Sequence, residues 1–128
     1  MIRIACALAF AASVAFGASA GRAAACVANP RERVFLAADT SDPDVFVWDD
    51  RFRLTEYSLG RWGDTRSVMA HTVLAHPGTR AVVLTCLEGA LRPKYSVARE
   101  DAVRVTMLTG PYRGRSGWVA ARDVHPQR

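Results

Sequence analysis

The side chains able to do covalent or metal chemistry are few here, and their spacing keeps them apart. A cysteine nucleophile needs a free thiol and a neighbouring base, whereas Cys86 stands in the middle of an apolar run, TRAVVLTCL. His71 and His76 are five residues apart in an extended stretch, so they point to opposite faces and suit a shared metal poorly. His125 lies in the terminal tail. The acidic residues Asp39, Asp42, Asp44, Asp49 and Asp50 lack the glycine and closing glutamate of a calcium loop, and turn capping accounts for them. Serines 67, 96 and 116 stand in no nucleophile-elbow pattern. The expectation is a protein without an active site, bound metal or cofactor. Recognition is the chemistry that remains. In GPYRGRSG, residues 110–117, Tyr112, Arg113 and Arg115 share one loop, and Trp62 stands between Arg61 and Arg66. Aromatic and arginine side chains on a rigid scaffold make recognition surfaces. The competing reading packs Tyr112 on the rim of the fold and leaves the arginines solvated.

The N-terminal stretch limits which residues take part. Arg3 precedes an apolar run from Ile4 to Gly17, followed by the small-residue sites Ala18-Ser19-Ala20 and Ala23-Ala24-Ala25. That order is the pattern of a secretory signal peptide over residues 1–25, and the run is shorter than the roughly 20 residues of a membrane span. A lipid anchor on Cys26 competes with it. Ala23 stands where a leucine-like residue is usual, and Arg22 interrupts the apolar approach. The remaining chain, 26–128, suits one domain, periplasmic or secreted. It carries 15 basic residues against 12 acidic ones, a net charge of +3, with no run of five like charges. Such a surface keeps a small protein soluble and does not point to nucleic acid. Cys26 and Cys86 are the two cysteines left, and an even count in an oxidising compartment favours a disulfide. The alternative is a lipidated Cys26 with an inert, buried Cys86.

The elements that would position these residues are mostly strands. VFLAA (34–38) and DVFVW (44–48) read as short strands, the second with Val45 and Val47 on one face and Phe46 and Trp48 on the other. Residues 49–60 place Phe52, Glu56 and Leu59, and separately Leu54 and Tyr57, at helical spacing behind Asp49 or Asp50 as N-cap. A strand with Phe52, Leu54 and Glu56 on one face is the other reading. SVMAHTVLA (67–75) and TRAVVLTCL (79–87) read as strands joined by the tight turn His76-Pro77-Gly78, and 88–101 as a long connector. AVRVTML (102–108) alternates, with Val103, Val105 and Met107 on one face, and SGWVAA (116–121) follows the loop. Gly114 and Gly117 allow a positive φ or a close backbone approach. Trp118 is expected to close one end of a small barrel.

The segment 110–124 resembles the closing strands of bacterial Src-homology-3-like domains of exported proteins, matched by Gly114, Gly117-Trp118-Val119 and Val124. Gly78-Thr79 and Ala81-Val82-Val83 resemble an earlier hairpin of that family. The likeness covers residues 66–125. It departs in the missing Asn-Val-Arg-like first strand, in the long connector, and in residues 34–64. The spaced pattern Val47-Trp48-Asp49, Leu54, Tyr57 and Gly60 is similar to one in exported proteins of unassigned function. What the resemblance implies is a mainly β chain, an SH3-like barrel with a strand-and-helix extension packed on it. The implied function is a non-enzymatic module engaging the cell envelope, either peptidoglycan or an envelope protein. A small inhibitor or accessory subunit of a periplasmic enzyme is the alternative.

Overall fold

The computed structural model describes residues 26–38 and 43–127. The leader expected over 1–25, and Asp39 and Asp42, lie outside the described residues. Among the described residues, seven strands form one antiparallel sheet. In chain order they are β1 (Arg33–Leu36), β2 (Val45–Trp48), β3 (Thr72–Ala75), β4 (Thr79–Leu91), β5 (Glu100–Met107), β6 (Ser116–Ala120) and β7 (Val124–Pro126). In space the order is β3-β2-β6-β5-β4-β1-β7. Two short helices, α1 (Arg51–Ser58) and α2 (Thr65–Ala70), lie between β2 and β3.

The turn after β3 shows that the sheet curls. Four inter-strand steps separate β3 from β4, about 19 Å in a flat sheet at about 4.8 Å per step. Yet only His76, Pro77 and Gly78 join them, in a turn closed by Thr79 N–H donating to the His76 carbonyl at 3.1 Å. Such a turn keeps its ends within about 7 Å, so Ala75 and Thr79 lie within about 11 Å of each other. The Gly78 N–H also donates to the Leu36 carbonyl of β1 at 2.8 Å. The result is a half-barrel in which the two strands flanking the turn belong to distant parts of one sheet.

Period-2 alternation then divides the apolar side chains between two cores. The concave face collects Val34, Leu36, Val45, Val47, Ala81, Val83, Val103, Val105, Met107 and Val119, all buried. The convex face carries Trp48 and Ala102, covered by Leu54 of α1 and Val68 of α2, with Trp118 and Ala120 partly buried alongside. The long strand β4 serves both cores because its register slips at Leu84, where one extra residue opposes β5. Before the slip Ala81 and Val83 point into the concave core; after it Leu91 reaches the convex one.

Each helix begins on an aspartate. The Asp50 carboxylate accepts from Phe52 N–H at 2.7 Å and Arg53 N–H at 3.3 Å. Asp64 accepts from the Ser67 N–H at 2.7 Å and its hydroxyl at 3.0 Å, and these bonds hold its carboxyl below the usual range. A depressed folded value means the cap's contribution is present above the unfolded value and is lost as pH falls through the folded one.

Several expectations are corrected. Residues 65–70 are helical, so the strand expected over 67–75 is confined to 72–75. His76-Pro77-Gly78 joins no hairpin, since β3 pairs with β2 while β4 pairs with β1 and β5. The connector is shorter than 88–101, because β4 runs to Leu91 and β5 starts at Glu100. The strands of the extension expected over 34–64 are not packed onto a separate barrel. Strand β1 pairs with β4 and β7, and β2 with β3 and β6, so both are integral to the sheet. Trp118 does not fill the interior: its neighbour Val119 does, at 0% exposure, and the fully buried indole is Trp48.

At Gly117 strand β6 passes close against β2. A Cβ built there would lie 2.5 Å from Val47 Cγ1 and 2.7 Å from the Trp48 carbonyl oxygen, so only a hydrogen fits. Gly117→Ala is expected to force these strands apart and to destabilise by about 2–3 kcal/mol, read as a lower urea midpoint. Gly114, by contrast, needs its glycine for φ +88° in the β5–β6 loop and faces open space.

Candidate functional site

The two aromatics expected from sequence in a recognition surface pack on different cores, Tyr112 on the concave one and Trp62 on the convex one. Tyr112 packs against the concave core, and the Arg115 guanidinium lies 5.7 Å over its ring. The loop bearing them is closed by Gly114 N–H to Met107 O at 2.8 Å and Met107 N–H to Arg115 O at 2.9 Å. Arg113 is exposed and Tyr112 half-buried, as the competing reading of that loop holds. Trp62 is half-buried on the convex side, edge-on to Trp48 at 5.3 Å and to His71 at 5.7 Å. Arg115 and His71 border a small cleft of about 110 Å³, but Trp62 and Tyr112 belong to different cores.

A larger groove of about 880 Å³ lies elsewhere on the convex side. Its floor is Phe46 and Trp48 from β2, Ala120 from β6, and Leu54 and Tyr57 from α1. Three aromatic rings meet there: Tyr57 is 6.0 Å from Phe46 and 5.1 Å from Trp48. This floor follows from local sequence. Alternation in β2 turns Phe46 and Trp48 outward, and the three-residue spacing of Leu54 and Tyr57 puts both on the helix face that meets them.

One wall is the connector 92–99. It is tied to the end of α1 by Lys94 N–H donating to the Ser58 carbonyl at 3.0 Å, and a Cβ at Gly60 would meet the Lys94 side chain. The opposite wall carries Arg122, which grips Glu100 through Nη2 at 2.7 Å and Nε at 3.1 Å. Asp44 sits at one end, 2.9 Å from His76 Nδ1. Lys94 and Arg99 line the groove without an ion-pair partner among the described residues. Its two serines are engaged locally, Ser58 with the Thr55 carbonyl and Ser96 with the backbone of Ala98.

Among the described residues, the one cluster of potential metal ligands is Cys26, Cys86 and Asp101. The two sulfurs are joined as a disulfide, with Cα atoms 6.1 Å apart. Asp101 already accepts from Val27 N–H at 3.0 Å and Gly89 N–H at 2.8 Å. The carboxylate therefore fastens the N-terminal lead-in beside the bridge and replaces a ladder bond that β4 loses at its second register shift. His125 stacks on Phe35 at 5.1 Å and donates from Nε2 to the Ala37 carbonyl at 3.1 Å, a structural tie for β7.

Reading the sequence missed Phe46, Lys94, Tyr95 and Arg99 as groove residues. The detectable signal was an aromatic following two cations in a proline-containing connector, Arg92-Pro93-Lys94-Tyr95. No family model, curated protein or solved structure matches the chain. Among the described residues, no helix is long and apolar enough to cross a membrane.

Proposed function

We propose that this protein is a non-enzymatic binding module that acts outside the cytoplasm and engages a component of the cell envelope in the convex groove. The observation that carries the reading is the accessible pair Phe46 and Tyr57, backed from below by the buried Trp48, beneath a rim of mixed charge. Flat aromatic faces take sugar rings or peptide side chains by apolar contact, while rim charges set orientation. Peptidoglycan presents both kinds of group. An envelope protein offers the second. We put the binding face in the groove in preference to loop 110–116, since Tyr112 packs partly against the concave core.

Export is supported by the leader pattern of residues 1–25 and by the Cys26–Cys86 bridge, a bond that persists in oxidising compartments. The SH3-like reading of residues 66–125 is supported by the consecutive antiparallel pairing of β4, β5 and β6 and by the close approach at Gly117. Mass spectrometry of the exported protein is expected to give a first residue between 19 and 26 and a mass two hydrogens below the reduced chain. A pair of free thiols would contradict it.

Isolated cell-wall sacculi provide the functional test. The exported protein is expected to sediment with them, and Tyr57→Ala to weaken retention by about tenfold, the loss of one aromatic anchor. Tyr57 is 40% exposed, so the substitution leaves the buried core in place. Failure to sediment, with recovery of one stoichiometric protein partner, would instead make the chain an accessory subunit or inhibitor.

A further inference from the structure

We infer that the turn 92–99 docks on an anionic lipid surface. At its tip Tyr95 is 92% exposed and Val97 107% exposed, the two most exposed large apolar side chains among the described residues. They are held outward. Ser96 N–H donates to the Pro93 carbonyl at 3.1 Å, Ala98 N–H donates to the Ser96 hydroxyl at 3.1 Å, and Lys94 N–H is fixed to Ser58. A turn closed by these bonds presents its tip already ordered, so little conformational freedom is lost on docking.

Charge selects the partner. Residues 92–99 contain Arg92, Lys94 and Arg99 and no acid. The adjoining carboxylates are engaged, Glu100 by Arg122 and Asp101 by two backbone N–H groups. The Lys94 ammonium lies 5.3 Å from the Tyr95 ring, so cation and aromatic advance together. The surface that fits is negatively charged outside and apolar a few ångströms within. In an anionic bilayer the Tyr95 ring sits at headgroup level with its hydroxyl wet, Val97 reaches the acyl boundary, and the cations meet lipid phosphates. A protein interface fits less well. Stable ones engage about 20–30 residues a side around an apolar centre, and here two apolar side chains stand among Lys94, Ser96 and Arg99. The inference goes beyond the groove reading and does not depend on it.

The test is co-sedimentation of the exported protein with vesicles of phosphatidylcholine alone or enriched in phosphatidylglycerol. The protein is expected to pellet with the phosphatidylglycerol vesicles and to be released by added salt. Tyr95→Ser combined with Val97→Ser is expected to weaken partitioning by about tenfold, and Lys94→Gln by about fivefold. All variants share the parent's N-terminus, so a retained leader shifts every arm equally. Circular dichroism checks that each stays folded. Equal binding to both vesicle types, or full binding by the double variant, overturns the inference. So does loss of sacculus retention in the double variant without any vesicle binding, which would assign the tip to the cell-wall ligand. Tyr57→Ala is expected to leave vesicle binding unchanged, which separates this site from the groove.

Discussion

Trp48→Ala is expected to cost about 3–5 kcal/mol, the largest loss from any single truncation in this chain. Trp48 is 1% exposed and sits where both helices meet the sheet. Leu54, Val68, Leu91 and Ala102 surround it, with the rings of Tyr57 at 5.1 Å and Trp62 at 5.3 Å. Alanine leaves a cavity that these neighbours cannot fill, because Leu91 and Ala102 are fixed in strands and Leu54 and Val68 in short helices. Isolated helices of this length are marginal in water, so the lost contacts are expected to loosen α1 and α2 as well. Against a total stability of about 5–15 kcal/mol, the variant stands near the folding threshold. Trp118→Ala is the control. That ring is only partly buried on the same face, and its loss is expected to cost under about 2 kcal/mol, in proportion to the smaller apolar area involved. Urea unfolding of both variants checks the pair. Equal losses would mean that the convex face has no central residue.

Removing the Cys26–Cys86 bridge is expected to cost about 4 kcal/mol, since it closes a separation of 60 residues in the unfolded chain. The bridge also has local work in the native state. Cys26 leads into Ala28, buried in the concave core, and the chain then pairs with β4 through Arg31 N–H to Val83 O at 2.7 Å and Val83 N–H to Glu32 O at 2.9 Å. Arg31 adopts φ +69°, a conformation disfavoured for a side-chain-bearing residue. The lead-in therefore carries strain that its anchors must hold. Replacing both cysteines by alanine, compared with the oxidised parent in guanidinium, measures the effect. A loss below about 1 kcal/mol would show that the reduced ensemble is already restricted in this region. Amide exchange is expected to rise first at Val27 and Gly89, whose N–H groups share Asp101 beside the bridge.

The two predictions meet at one feature of the molecule, a sheet with a core on each face. Alternation in VFVW and in AVRVTM declares two apolar faces in β2 and marks the inward set Val103, Val105 and Met107 in β5. That pattern is local, and it was legible. The first helix was legible only as one of two readings. Asp50 offers its cap and Leu54 and Tyr57 recur one turn apart, but Phe52, Leu54 and Glu56 fit a strand as well. The cysteine pairing was expected from an even count and the leader pattern, independent of any fold.

Partnership was not legible. His76-Pro77-Gly78 has the composition of a hairpin turn, yet curling brings together two strands that are four places apart, and turn chemistry does not encode which strands will pair. Residues 67–70 look extended because Val68 is β-branched and the segment runs into the β-rich Thr72-Val73-Leu74. The helix forms there because Asp64 caps it and Val68 gains burial against Trp48, a tertiary contact that outweighs a weak propensity. Trp118 and Val119 were known to oppose each other, but which one enters the concave core depends on the direction of curl, and that is set by the whole sheet. The groove has the same origin. Its floor, its connector wall and its cations come from segments up to about 75 residues apart in sequence, and only packing α1 onto the convex face assembles them. Side-chain alternation, helix capping and thiol pairing are short-range or counting properties that a linear chain carries by itself; strand order, curvature and the groove arise from long-range contacts, which exist only once the chain is closed on itself.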